Sequence, residues 1–113
     1  MLETFFAIMM AIQFFHSIEE LSNKFHEKFP LLKMSFRFFL TFEISFFVFW
    51  LLVFFAEQFP FRDYLMAFFI ILMFTNGVWH IVWWGITRKY VPGLVTAPFF
   101  VITFLIFYFK ILF

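Results

Sequence analysis

The chain consists of four long apolar stretches separated by short polar ones. The apolar stretches cover residues 2–21, 38–56, 64–84 and 94–113. Each has about 20 residues, which at about 1.5 Å per helical residue matches the roughly 30 Å hydrocarbon core of a bilayer. Pro60 and the Pro92-Gly93 pair fall between stretches, where a helix must stop. The pattern predicts an all-α protein with a single transmembrane domain over residues 1–113, built as a four-helix transmembrane bundle.

The polar stretches differ sharply in charge. The first and third hold six basic residues, Lys24, Lys28, Lys33, Arg37, Arg88 and Lys89, whereas the second holds only Arg62, with Glu57 and Asp63 nearby. Because basic loops stay on the cytoplasmic side of a membrane, we expect these two loops inside and the N- and C-termini on the outer side. Residues 25–36 mix bulky apolar and basic side chains, which predicts a segment lying along the cytoplasmic interface.

Composition supports this interpretation and excludes other classes of protein. Of 113 residues, 65% are hydrophobic and 13% charged, so polar side chains are too few to cover a soluble domain. The mean hydropathy is +1.01. A net charge of +1, with the basic residues confined largely to loops, argues against nucleic acid as a partner. The chain has no cysteine, which excludes disulfides and thiolate metal sites.

Several polar side chains fall inside the apolar stretches, where insertion of a charged group costs about 2.5–3.5 kcal/mol. His16, Glu43 and His80 lie on three different stretches, each about one helical turn from the predicted inner end. They are therefore expected to meet at one depth in the cytoplasmic half of the bundle. Glu19 and Glu20 follow His16 at positions three and four, which places all three on one helix face.

Imidazole and carboxylate groups are the natural ligands of zinc, iron or manganese where thiolates are absent. The predicted metal ligands are His16, Glu20, Glu43 and His80. Glu19 is the predicted general base toward a metal-activated water, although Glu19 and Glu43 can exchange these roles. Asn76, one turn before His80, is predicted to orient a ligand or to hold an oxyanion.

The same side chains also have interpretations without chemistry. Glu20 can pair with Lys24 where the helix end reaches the lipid headgroups. Asn76 and His80 are residue types that form hydrogen bonds between membrane helices. Glu43 can form a structural ion pair with Arg37 or with His16.

Three further residues are expected to be structural. His26, in the first basic loop, is predicted to be solvated. Gly77 and Gly85 are two turns apart on one predicted helix, a spacing that lets helices pack closely.

Three motifs follow one another along the chain. They are His16-Ser17-Ile18-Glu19-Glu20, Asn76-Gly77-Val78-Trp79-His80 and Tyr90-Val91-Pro92-Gly93-Leu94-Val95-Thr96. With this ordered HxxEE, NxxxH and YxPGxxT trio, the chain resembles over nearly its whole length the bacterial membrane proteins named for their HXXEE motif. The resemblance, with the charge asymmetry, implies an integral protein of the bacterial inner (cytoplasmic) membrane. It adds Tyr90 to the catalytic candidates and implies no activity, because the family is described only by its motifs.

Three functional hypotheses follow. The first is a metal-dependent enzyme that hydrolyses or oxidises a membrane lipid or another hydrophobic substrate, with Arg88, Lys89 and Thr96 holding the substrate headgroup. The second is a small proton or cation carrier, which would need a homo-oligomer to form a pore. The third is a non-catalytic accessory subunit of a larger membrane complex, whose polar residues serve helix assembly.

Overall fold

The chain folds into helices only, as the apolar pattern predicts. A computed structural model describes all 113 residues. Its five helices are α1 (Leu2–Ser22), α2 (Phe25–Lys28), α3 (Phe36–Phe55), α4 (Arg62–Thr87) and α5 (Ala97–Leu112), and there is no strand. The four long helices lie on the four predicted apolar stretches, and α2 is a single turn in the basic segment before α3. The all-α prediction is confirmed.

Two helices, α3 and α4, are long and apolar enough to cross a membrane. Helix α1 has 21 residues, but its polar side chains, such as Gln13 and His16, lower its hydropathy. Helix α5 has only 16 residues. It begins at Ala97, three residues later than predicted, because residues 92–96 form turns around the positive-φ Gly93. At about 1.5 Å per residue α5 spans about 24 Å, which is shorter than a typical hydrocarbon core.

Helices α1 and α4 each pack against the three other long helices, and α4 and α5 pack closely on each other. The main apolar core fills the half of the bundle that holds the start of α1 and the end of α3, and includes Phe6, Met9, Trp50 and Phe69. A smaller apolar cluster of Phe25, Phe39, Trp83 and Val91 lies at the opposite end. The motif residues His16, Asn76 and His80 lie on the segments of α1 and α4 between these two apolar clusters.

Arg62 secures the α3–α4 connection at the end of the bundle remote from the motifs. Its guanidinium donates to the Val53 carbonyl at 3.2 Å and to the Phe54 carbonyl at 2.6 Å, which satisfies carbonyl groups at the end of α3. It also pairs with Glu3 at 2.6 Å, and not with Glu57 or Asp63 of its own loop. This contact fixes the beginning of α1 against the α3–α4 turn.

Gly77 is expected to be intolerant of a side chain. A Cβ at Gly77 would lie 2.8 Å from the carbonyl oxygen of Ala97 and 2.9 Å from the Cβ of Phe100, so α5 would have to move away. We expect Gly77→Ala to lower the free energy of unfolding by about 1–3 kcal/mol, as overpacking typically does. Thermal unfolding in detergent measures the effect.

Gly85 provides the matched control on the same helix. No atom lies within 4 Å of a Cβ built there, so this glycine does not mark a close helix contact. Gly85→Ala is expected to stabilise the protein by about 0.5–1 kcal/mol through helix propensity alone. Equal shifts in the two variants would contradict the close α4–α5 approach at Gly77.

Candidate metal centre

Three buried side chains from α1 and α4 meet in what we call the His–Glu–His cluster, formed by His16, Glu20 and His80. His16 and Glu20 are four residues apart on α1 and therefore share one face. The Glu20 carboxylate lies between the two imidazoles, with Oε1 at 3.4 Å from Nε2 of His16 and Oε2 at 3.4 Å from Nε2 of His80. One ligand atom from each residue lies within 4.8 Å of the others. The rings meet edge to face, with centroids 4.7 Å apart.

A hydrogen bond from the turn before α5 fixes the tautomer of His16. Nδ1 of His16 lies 2.6 Å from Oγ1 of Thr96. The single hydroxyl proton of Thr96 is directed at an acceptor, either Glu19 Oε1 at 2.8 Å or the Gly93 carbonyl at 3.2 Å. Because the Thr96 hydroxyl and the Glu19 carboxylate oxygen at 2.8 Å need a proton between them, we assign the Thr96 proton to Glu19 and the donor role to Nδ1 of His16, which leaves Nε2 of the neutral ring as an acceptor facing Glu20. This is the arrangement that metal-binding histidines normally have.

The cluster has the donor set of a cation site. Neither ring nitrogen of His80, which is 1% exposed, has a hydrogen-bond partner in the protein. Asn76 donates to Nε2 of His16 at 3.3 Å, from the side of α4. Two imidazole nitrogens and a carboxylate, all facing one another in a buried site, fit zinc, iron or manganese. Buried polar groups otherwise require partners, and a cation at Glu20 would provide one for the Nε2 lone pair of His80.

Glu19 and Glu20 are adjacent in sequence but have different partners. Glu19 accepts hydrogen bonds from the backbone N–H groups of Val95 and Thr96, both at 3.0 Å, and from the hydroxyls of Thr96 and Tyr90. It therefore fastens residues 90–96, which we call the clamp segment, onto α1. With both oxygens occupied in this way, Glu19 lies outside the His–Glu–His cluster.

Tyr90 also lies outside the cluster. Burial and its hydrogen bond to the Glu19 carboxylate raise the pKa of the Tyr90 phenol above its ordinary value. The phenol is therefore a hydrogen-bond donor at neutral pH. Tyr90 is the first residue of the clamp segment. Its predicted catalytic role stays a prediction.

Glu43 is close to the cluster without belonging to it. Its Oε2 accepts from the Ser17 hydroxyl at 2.6 Å and from Gln13 Nε2 at 3.5 Å. These contacts join α3 to α1 and hold the carboxylate in a buried position. Glu43, predicted as a fourth metal ligand, is not among the three side chains that lie within ligand distance of one another, which are His16, Glu20 and His80.

A cavity of about 600 Å³ adjoins the cluster and reaches it through Glu20. Most of its wall is apolar, with contributions from α3, α4 and residues 25–34, including Phe25, Phe29, Phe39, Phe46, Leu72 and Trp79. Its polar lining residues are Gln13, Glu20, Glu43, Thr75 and Asn76. Leu32, Phe38 and Phe42 also line it and are more than half exposed, at 56%, 57% and 53%, so the cavity opens sideways beside α3.

The remaining predicted residues lie elsewhere. Arg88 and Lys89 are exposed after the end of α4 and do not line the cavity. Thr96 faces His16 and Glu19 and is engaged inside the protein. His26, predicted to be solvated, is only 8% exposed because it packs against Phe36.

Sequence reasoning assigned no chemistry to two further residues of the site. Ser17 occupies a variable position of the HxxEE motif, and no local signal predicts its contact with Glu43. Gly93 has φ +97°, and a Cβ there would lie 2.6 Å from Cε1 of both His16 and His80. Its Pro-Gly context predicted a turn, but not that the turn packs directly on the two imidazole rings.

Substitution of Thr96 tests whether its hydrogen bonds to His16 and Glu19 support metal binding by the cluster. Thr96→Val keeps the shape of the side chain but removes the acceptor for His16 and the donor to Glu19. We expect metal affinity to fall by about 10–100-fold, the usual cost of losing such a partner. Thr96→Ser retains the hydroxyl and should stay within a few-fold of wild type in a chelator competition titration. Equal affinities of the Val and wild-type proteins would contradict the assigned role of Thr96.

Comparison with known proteins agrees with the motif content. The sequence profile of a family described as "Protein of unknown function with HXXEE motif" matches residues 7–108. No curated protein and no solved structure matches the chain. The matched range contains all the residues of the His–Glu–His cluster and of the clamp segment. The chain therefore belongs to the HXXEE-motif family of proteins of unknown function.

Proposed function

We propose that this chain is an integral membrane enzyme in which His16, Glu20 and His80 bind one divalent metal ion that acts on a lipid or another hydrophobic substrate. The observation that carries the proposal is the position of Glu20. This carboxylate lies 3.4 Å from both imidazoles and also lines the apolar cavity. A substrate in that cavity would reach the metal without passing through water.

The membrane location is supported by the outer surface of the helices. All four long helices expose large apolar side chains, among them Phe15 at 61%, Leu52 at 64%, Ile71 at 54% and Ile102 at 54%. Soluble monomers rarely expose contiguous apolar surface of this extent. We therefore propose four membrane-spanning helices, with α1 and α5 crossing beside α3 and α4. The charge asymmetry supports termini on the outer side of a bacterial inner membrane.

The chemistry that the residues favour is hydrolysis. A metal ion held by His16, Glu20 and His80 would supply Lewis acidity and would make a water more acidic. Glu43, a second carboxylate that lines the same cavity as Glu20, would act as the general base toward that water. Asn76 donates to the Nε2 lone pair of His16 in this structure, and a bound metal would take that lone pair and leave the amide free to hold an oxyanion. In this assignment Glu19 positions the clamp segment, while Arg88 and Lys89 contact the anionic surface of the surrounding lipid.

The alternative is a non-catalytic subunit whose polar residues serve helix assembly. It is supported by the Ser17–Glu43 hydrogen bond at 2.6 Å, which joins α1 to α3 as an assembly contact would. It accounts for Glu43 but leaves Nδ1 of His80 without a partner and Nε2 with only the 3.4 Å contact to Glu20, which does not have hydrogen-bond geometry. A proton or cation carrier is less well supported. The main apolar core, with Phe6, Met9 and Phe69, fills the bundle between the cluster and the opposite end and offers no polar path.

The direct test is conversion of substrate by the purified protein in phospholipid vesicles. A panel of long-chain esters and amides is incubated with protein loaded with zinc, iron or manganese, and products are identified by mass spectrometry. We expect hydrolysis that depends on the metal and falls by more than about 100-fold in His80→Ala, because removing a ligand should exceed the cost of removing an outer partner. Glu43→Gln should retain the metal and lose turnover. Absence of conversion with every metal, in folded protein, would refute the enzymatic role.

A further inference from the structure

The charge of the cavity lining restricts the ligand that the cavity can accept. Two carboxylates, Glu20 and Glu43, line the cavity, and no lysine or arginine does. Both carboxylates are buried, at 5% and 7% exposure. In an apolar site, like charges repel far more strongly than in water. The two carboxylates together balance the charge of one divalent cation, so an anionic headgroup, such as a phosphate or a free carboxylate, would leave a net negative charge buried beside these residues and is disfavoured.

Gln13 adds a hydrogen-bonding requirement at the same end of the cavity. Its Nε2 donates hydrogen bonds to Ser17 Oγ at 3.0 Å and to the Glu43 carboxylate at 3.5 Å, and these two bonds fix the orientation of the amide. The opposite atom, Oε1, is buried and has no partner in the protein. Because Gln13 is 4% exposed and lines the cavity, a ligand with an N–H group is the natural partner for this carbonyl.

The rest of the cavity suits a hydrocarbon chain. Its volume of about 600 Å³ is that of a drug-sized ligand site, and less than a two-chain phospholipid requires. The exposed apolar side chains of Phe38 and Phe42 at its opening would face lipid if α3 spans the membrane. A single chain can therefore enter the cavity sideways from the bilayer. Its polar head then lies beside Gln13 and Glu20.

Building on the metal centre proposed above, we infer that the substrate class is a single-chain amphiphile with an uncharged carboxamide head. The carboxamide offers an N–H donor to the Gln13 carbonyl and a carbonyl oxygen to the cation at Glu20. Hydrolysis of such an amide consumes one water, whose hydroxyl bonds to the carbonyl carbon while the C–N bond breaks and the proton goes to the nitrogen. The products are a fatty acid and an amine, and no other reactant is needed.

Trp79 provides a direct measure of cavity occupancy, because it lines the cavity whereas Trp84 does not. Two variants that keep only Trp79 or only Trp84, with the other tryptophans replaced by phenylalanine, are placed in phosphatidylcholine vesicles with EDTA. The probes are 12-bromododecanamide and 12-bromododecanoic acid, whose bromine quenches a tryptophan that it touches. We expect the amide to quench Trp79 at about tenfold lower mole fraction than the acid. Trp84, at the lipid surface, should respond equally to both after correction for partitioning.

One further variant and a second probe make the outcome decisive. Glu43→Gln removes one negative charge, so the preference of Trp79 for the amide should shrink severalfold. A dibrominated phosphatidylcholine should quench Trp84 but leave Trp79 nearly unaffected. Equal quenching of Trp79 by amide and acid would overturn the carboxamide assignment, and quenching no stronger than that of Trp84 would overturn the cavity as a chain site. Since EDTA is present, either result is independent of whether the protein binds a metal.

Discussion

Glu20→Gln is expected to abolish metal binding at physiological concentrations. The Glu20 carboxylate is the only acidic group between the two imidazoles, 3.4 Å from each, and it carries the negative charge that offsets the cation. Glutamine keeps the size of the side chain but removes this charge and one ligand oxygen. Loss of an outer partner alone costs about 10–100-fold in affinity, so we expect a loss of more than about 100-fold here. Competition with a chromogenic chelator measures the affinity.

Glu43→Gln is the matched control for this substitution. It makes the same chemical change in a second buried carboxylate of the same cavity. Because Glu43 bonds to Ser17 and Gln13 and lies outside the His–Glu–His cluster, metal affinity should change only a few-fold. Comparable losses in the two variants would return Glu43 to the ligand set that the sequence predicts.

Gly93→Ala is expected to be the most destabilising single methyl addition in the chain. Gly93 has φ +97°, a region that L-residues with a side chain rarely adopt, at a cost of about 1–2 kcal/mol. The added Cβ would also lie 2.6 Å from Cε1 of His16 and of His80 and 2.9 Å from Nδ1 of His80. Overpacking adds about 1–3 kcal/mol, so the free energy of unfolding should fall by about 2–5 kcal/mol. Thermal unfolding measures the loss.

The reason for this sensitivity is that the clamp segment packs directly on the imidazoles. A forced movement at Gly93 displaces the two rings, so metal affinity in Gly93→Ala should fall together with stability. Gly85→Ala, which meets no atom within 4 Å, controls for the effect of a methyl group in itself. A Gly93→Ala protein as stable as wild type would mean that the turn is looser than the structure indicates.

The sequence predicted the helices well because apolar periodicity and breakers are local properties. The all-helical class and the positions of the four long helices followed from the apolar stretches and from Pro60 and Pro92-Gly93. The late start of α5 did not, because it depends on hydrogen bonds between Glu19 and the clamp segment, which are 76 and 77 residues apart in sequence. The separate Glu3–Arg62 pair links positions 59 residues apart and was equally invisible.

The sequence predicted which residues lie together in the candidate site better than it predicted what each of them contacts. Helix spacing identified His16, Glu20 and His80 as neighbours because spacing and depth are encoded along each helix. Which carboxylate faces the imidazoles depends on the rotation of α1 and α3, which is decided by packing. Glu19 and Glu20 are adjacent in sequence, yet about 100° of helical rotation separates their directions, so one meets the clamp segment and the other meets the histidines. The same dependence on packing left Ser17 and Gln13 without an assigned role.

The central claim, that the His–Glu–His cluster binds a metal, is tested most directly by elemental analysis of the detergent-purified protein. Wild type is compared with His16→Ala, His80→Ala and His26→Ala, the last a buried histidine outside the cluster. We expect about one zinc, iron or manganese ion per chain in wild type and in His26→Ala, and almost none in the other two. No metal in folded wild-type protein after reconstitution, or equal metal in all four proteins, would contradict the account.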